Sequence, residues 1–140
     1  MARESAIIEI VHAIFDVVNT NAHLNTTHGC IAYDYVPQEV IKATAPYIEI
    51  GDPIESPWDC FGSEYGERLI IRLHVWSTYR GKKEAADIIT HLKELFNDTS
   101  LTVTGYTHVR TGADFATVMK DPDMIHYHGV LDLTVNVVQI

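Results

Sequence analysis

Apolar residues recur at helical spacing in two segments of the chain, residues 5–20 and residues 82–96. Residues three and four positions apart lie on one face of a helix, so each segment predicts an amphipathic helix with one buried face. Asn97 and Asp98 follow the second segment, and both residue types favour helix ends over helix interiors. The apolar positions are Ile7, Ile10, Val11, Ile14, Val17 and Val18 in the first helix and Ala85, Ile88, Ile89, Leu92, Leu95 and Phe96 in the second.

Strict alternation of apolar and other residues marks two long strands, residues 67–77 and residue 127 onward. Successive side chains of a strand point to opposite faces of the sheet, so the apolar set of each strand should face the core. These sets are Leu69, Ile71, Leu73 and Val75 in the first strand and Leu131, Leu133, Val135 and Val137 in the second. Ile70 and Trp76 interrupt the polar side of the first strand. They predict that a helix or a neighbouring subunit covers part of that side.

Shorter β-prone runs complete the predicted sheet at residues 31–36 and 47–50. Residues 101–110 and 115–119 predict one further strand, with a bulge or break around Gly112, since glycine inside a strand often marks a bulge. A turn at residues 120–123 then leads into the last strand, which should pair with the one before it. The pattern predicts a single domain over residues 1–140, of α+β class, with a mostly antiparallel sheet of about five strands packed against two main helices.

Composition supports an ordinary folded domain and argues against nucleic-acid binding. Apolar residues make up 46% and charged residues 21% of the chain, close to globular averages. The net charge of −9 repels phosphate, so the basic footprint of a nucleic-acid-binding protein is missing. Cys30 and Cys60 form no CxxC pair and are expected to be free thiols. The N-terminus does not predict a signal peptide, and no stretch is long and apolar enough to predict a membrane span. We therefore expect synthesis in the cytoplasm and no membrane partner.

An acidic loop precedes the first long strand. Between Lys42 and Arg68 the chain carries six carboxylates and no lysine, arginine or histidine. Such a run is commonly a solvated face, but aromatic residues among the carboxylates are typical of interface anchors. A loop that orders on a partner is therefore the second interpretation. The candidate interface or lumen residues are Asp52, Glu55, Trp58, Asp59, Phe61 and Glu64.

Histidines near the last strand offer an alternative chemistry. His126 and His128 are two residues apart, a spacing that lets two imidazoles on one strand face approach a metal, and Asp132 or His108 could join them. A small metal-dependent or acid/base enzyme would follow. A hairpin with polar residues toward water accounts for the same pattern. No nucleophile elbow and no phosphate-binding glycine loop occurs, so we predict no catalytic residue, no bound metal, no cofactor and no enzymatic activity.

The order of these elements resembles the small tail-completion proteins of long-tailed bacteriophages. The resemblance covers nearly the whole chain from the first helix onward. Its individual motifs are strand and turn sequences, and their order and spacing carry the likeness. They are AYDYVP at residues 32–37, PYIEIG at 46–51, the LHVWS ending of the strand at 69–77, Gly81 before an alanine-bearing helix, and KDPD at 120–123.

This resemblance implies a tail terminator, or tail-to-head joining protein, located in the virion. Proteins of this kind form a ring, typically of six copies, that caps the tail tube and joins it to the head connector. The family implies no catalytic residue and no cofactor. DNA would pass through the lumen without specific binding, and acidic side chains there would keep phosphates from adhering. A head-side connector component and a cellular adaptor remain alternatives within the same structural class.

Overall fold

The computed structural model describes residues 2–59, 65–97 and 100–140. Its helices and strands follow the predicted order, with additional short elements between them. In chain order they are α1 (Ile7–Asn19), a π-helical turn (His23–Thr27), β1 (Ala32–Tyr33), α2 (Gln38–Lys42), β2 (Tyr47–Ile50), β3 (Ile54–Pro57), β4 (Gly66–Ser77), α3 (Lys83–Phe96), β5 (Tyr106–Lys120) and β6 (Tyr127–Gln139).

The strands form one mixed sheet in the order β1-β2-β4-β6-β5. Strand β4 is central, since β6 pairs along one of its edges while β3 and β2 pair with successive parts of the other edge. Only the short β1–β2 pair is parallel among these strand pairs. The α+β class and the mostly antiparallel sheet are confirmed. The predicted number of about five strands is one short of the six in this sheet.

The two long strands and the two long helices supply the core. All eight apolar residues that alternate along β4 and β6 are fully buried, as the pattern predicts. Ile10 and Ile14 of α1 and Ile88 and Leu92 of α3 belong to the same cluster. Both helices therefore cover one face of the sheet, the face on which these strand residues lie. Burying each large aliphatic side chain contributes about 1.5–3 kcal/mol.

The sixth strand lies inside the acidic loop, where the sequence predicts irregular chain. Strand β3 pairs antiparallel with the first half of β4, from Ile54 opposite Ile70 to Pro57 opposite Glu67. Pro53 and Pro57 bound this short segment and argue against a strand by composition. Proline is nevertheless tolerated at the ends of edge strands, where its missing N–H is not needed for pairing.

Three further boundaries differ from the prediction. Strand β1 contains two residues instead of six, and helix α2 occupies the connection between β1 and β2. Strand β5 begins at Tyr106 and continues through Gly112 without a break. Its register shifts lie on either side of the predicted position, between His108 and Arg110 and between Ala113 and Phe115. Among the helices of the described part of the chain, none is long and apolar enough to cross a membrane.

Candidate functional site

Arg3 holds the acidic segment, residues 52–67, against the N-terminus. Its guanidinium donates from Nη1 to Oε1 of Glu67 at 2.5 Å and to the carbonyl of Gly66 at 3.1 Å. From Nη2 it donates to Oδ1 of Asp59 at 2.5 Å. The Glu67 side chain is only 3% exposed, so a nearby cation is needed to offset its desolvation. The hydrogen bond that Asp59 accepts from Arg3 lowers the pKa of the Asp59 carboxyl.

Glu55 contacts the start of helix α1. Its Oε2 accepts a hydrogen bond of 2.7 Å from the backbone N–H of Ala6, the residue that precedes the helix. The first N–H groups of a helix have no partner within the helix, and a carboxylate there also interacts favourably with the helix dipole. Glu55 therefore acts as a cap for α1 that is supplied from β3.

Trp58 lies against the first residue of β4. Its N–H donates to the carbonyl of Gly66 at 2.8 Å, and a Cβ at Gly66 would fall 1.7 Å from the Trp58 carbonyl oxygen. Only glycine permits this approach of the two backbones. The Trp58 side chain is half-buried.

Asp52 is exposed and lines a different surface, which we call the open face. The open face is the side of the sheet opposite α1 and α3. Asp52 borders a groove of about 350 Å³ on this face. The strand registers place nine further side chains on the open face: Ile54, Ile70, Arg72, His74, Trp76, Phe115, Met119, His128 and Asp132.

Polar pairs occupy the centre of the open face. Arg72 and Asp132 form a bidentate ion pair, with Nε–Oδ1 at 2.8 Å and Nη2–Oδ2 at 3.1 Å. His74 Nδ1 and His128 Nε2 are 2.7 Å apart, and the His128 ring stacks on Trp76 at 4.0 Å between centroids. Burial lowers the pKa of both histidines, and each ring also lies near the charge of Arg72. Their neutral forms are therefore favoured at neutral pH.

Apolar side chains flank these pairs on both sides. Ile54 and Ile70 lie opposite each other on β3 and β4 and are 66% and 40% exposed. Phe115 and Met119, on β5, are 51% and 46% exposed. Large apolar side chains grouped on one exposed face are typical of protein-binding surfaces. Both long helices lie on the opposite face, so of the two covers predicted from Ile70 and Trp76, a helix or a neighbouring subunit, only the neighbouring subunit stays a prediction.

The structure divides the described candidate residues of the acidic loop between two surfaces instead of gathering them. Glu55 and Asp59 contact the N-terminal segment, while Asp52 lies on the open face. Phe61 and Glu64 lie outside the described residues, as does Cys60. Sequence patterns did not reveal the role of Arg3, because its partners are more than 50 positions away.

The histidines proposed for an enzyme do not converge. His126 precedes β6 instead of lying on its face, and its Nδ1 contacts Oδ2 of Asp123 at 2.5 Å. His128 contacts His74, and Asp132 contacts Arg72. His108 contacts the hydroxyl of Thr111 at 2.6 Å. Asp123 stabilises the turn that the sequence predicts at residues 120–123, since its Oδ1 accepts from the N–H groups of Ile125 and His126.

The structure defines an α+β protein with helices on one face of its sheet and a partly apolar open face of the kind that binds other proteins. A family model described as "Tail completion protein gp17" matches residues 12–137. The chain therefore belongs to the tail completion protein gp17 family, as the sequence resemblance indicated. This membership supports a structural role in a phage tail, located in the virion, over an enzymatic one.

Two individual proteins illustrate the likeness. The tail completion protein gp17 of Bacillus phage SPP1 is 31% identical over 86 residues, which span 61% of this chain and 63% of that protein. A chain from the virion of a native gene transfer agent particle shares the fold with a TM-score of 0.85. That likeness covers 97% of this chain and 99% of the other at 15% identity.

Proposed function

We propose that the chain forms a ring of six copies that terminates the phage tail tube and joins it to the head connector. The open face carries this proposal, because it presents an apolar group at each end of one sheet. Ile54 lies on β3 at one edge, and Phe115 and Met119 lie on β5 at the other. A head-to-tail ring requires two different surfaces on every subunit, and these two edges supply them.

The sheet edge formed by β5 also favours self-association. Strand β5 is 15 residues long and ends the strand order, so among the described residues its outer edge pairs with no further strand and could pair with another chain. We propose that β5 of one copy packs against the β3 edge of the next. Family membership supports a role in the phage tail. The net charge of −9 suits a channel through which DNA passes without binding.

The ring is tested with the tag-free protein, alone and added to purified tails that lack it. Native mass spectrometry should give a six-copy species, and negative-stain images should show a ring at one end of the tail tube. Phe115→Asp should abolish both, since a carboxylate would enter the subunit contact. Ile8→Asp is the matched control, because Ile8 is 64% exposed on α1 and belongs to the helical side.

Loss of the ring in both variants would contradict the placement of the contact on the open face. A wild-type protein that stays monomeric on tails would contradict the ring itself. Density at the head connector instead of the tail end would favour the head-side alternative.

A further inference from the structure

Two histidines and an aspartate from separate parts of the chain meet beside helix α3. His28 Nε2 lies 2.6 Å from Oδ2 of Asp87, and His23 Nε2 lies 3.5 Å from the same oxygen. All three ligand atoms lie within 4.8 Å of one another. Within the described residues this is the one group of three metal-binding side chains at such distances.

The backbone that carries the histidines is held firmly. His23 begins the π-helical turn and His28 follows it, so the turn determines their separation. Leu24, within the turn, is fully buried, and its carbonyl accepts from the N–H of Cys30 at 2.8 Å. Its N–H donates to Oδ1 of Asn21 at 3.1 Å. A rigid scaffold of this kind reduces the cost of orienting ligands around an ion.

We propose that His23, His28 and Asp87 bind one divalent ion of the zinc class. Imidazole nitrogens and carboxylate oxygens are usual zinc ligands at about 2.0–2.2 Å, which places neighbouring ligand atoms of a tetrahedral site about 3.4 Å apart. The His23–Asp87 separation already has this value. The His28–Asp87 separation is that of a hydrogen bond and would lengthen as the ion replaces the shared proton. The proposal is independent of the ring.

Neighbouring side chains orient His23 and leave a cavity for a water as the fourth ligand. The His91 ring packs on His23 at 4.1 Å between centroids, and its Nδ1 lies 3.7 Å from Glu94. His91 therefore supports the orientation of His23. The adjacent cavity of about 230 Å³ is lined by His28, Tyr79, Lys83, Glu84 and Asp87. The charge of Lys83 opposes a cation there, while the carboxylate of Glu84, which accepts from the Ser77 hydroxyl, favours one.

A bound ion would join the loop between α1 and β1 to helix α3. Only the folded protein brings the three side chains together, so the ion should stabilise the native state. The test uses tag-free protein freed of metal with EDTA and dialysed. Zinc chloride is then titrated by calorimetry, and the melting temperature is followed with increasing zinc.

The wild type should bind one zinc per chain and melt at higher temperature as zinc increases. Asp87→Asn and His28→Gln should each bind at least about tenfold more weakly, and zinc should not raise their melting temperature. His12→Gln, an exposed histidine of α1, and Cys60→Ser should bind as the wild type does. Circular dichroism without metal checks that each variant is folded.

Absence of saturable zinc binding to the wild type would overturn the site, leaving a His28–Asp87 hydrogen bond. Two other results would also overturn the site, since the ion would then lie elsewhere. One is unchanged zinc binding in Asp87→Asn, and the other is loss of zinc binding in Cys60→Ser while Asp87→Asn and His28→Gln still bind.

Discussion

At the scale of single residues, Arg3 explains how a carboxylate is buried at the end of the sheet. Glu67 lies on the core side of β4, where its neighbours along the strand are apolar, and it is 3% exposed. An isolated buried carboxylate is unfavourable, because burial removes its hydration. Arg3 supplies the charge and also packs over the ring of Tyr65 at 4.7 Å. A residue near the N-terminus thereby stabilises the start of the central strand.

We expect Arg3→Ala to lower the melting temperature more than Arg72→Ala does. Both substitutions remove a paired guanidinium, but Arg72 pairs with a carboxylate that is 21% exposed, which water can solvate. Adding Glu67→Gln to Arg3→Ala should restore part of the loss, since an amide costs less to bury without a cation. Thermal unfolding of the two single variants and the double variant measures this. Equal losses for Arg3→Ala and Arg72→Ala, with no recovery in the double variant, would contradict the role of Arg3.

At the scale of elements, Gly129 permits the close packing of α3 on the sheet. A methyl group at this position would lie 3.1 Å from Cδ1 of Ile89 on α3 and 3.3 Å from Cβ of Val75 on β4. Both separations are tighter than ordinary van der Waals contacts. The absence of a side chain at Gly129 therefore allows Ile89 to approach the β4–β6 pair.

Gly129→Val should destabilise the protein by about 1–3 kcal/mol, because the added side chain overpacks this contact. Ile89→Ala in the same chain should recover part of that loss by making room. Urea unfolding gives the free energies, and Thr117→Val, on the open face of β5, serves as a control with little expected change. A Gly129→Val protein as stable as the wild type would show that α3 can shift on the sheet at no cost.

Long elements with a regular period could be predicted from the sequence, and of the short ones β2 was predicted within its bounds while α2 and β3 were not. Strands β4 and β6 and helix α3 each bury one regular set of side chains, so pattern and packing agree. Strand β3 has four residues and ends in proline, and its pairing with β4 depends on tertiary contact instead of local preference. The register shifts of β5 similarly depend on its neighbour β6, which no local pattern records.

At the scale of the whole molecule, contacts between distant segments decide which candidate residues act together. The sequence shows six carboxylates between Lys42 and Arg68, but it could not show that Arg3 and the start of α1 engage Asp59 and Glu55. His23, His28 and Asp87 were equally invisible, since 59 positions separate the last two. The family resemblance was confirmed because element order and spacing extend over the whole chain and depend little on any one contact.

Glu55 and Asp59 contact the N-terminal segment while Asp52 lies on the open face, and this difference decides how a role for the acidic segment in DNA passage should be tested. Neutralising Glu55 or Asp59 would disturb the N-terminal contacts, so a defect in those variants would not report on a lumen. Asp52 is exposed and lies on the open face, away from these contacts, so it provides the better probe. Asp52→Asn removes one negative charge from every copy and leaves the Arg3 contacts of Asp59 and Glu67 in place.

If Asp52 faces the lumen, phage carrying Asp52→Asn should assemble normally and eject DNA more slowly, because phosphates would adhere to the channel wall. The difference from wild type should shrink as salt is raised, since the screening length falls from about 10 Å at 0.1 M to about 3 Å at 1 M. Ejection kinetics from purified particles at several salt concentrations measure both effects. Particles with unchanged ring docking and unchanged ejection at every salt concentration would instead place Asp52 away from the lumen.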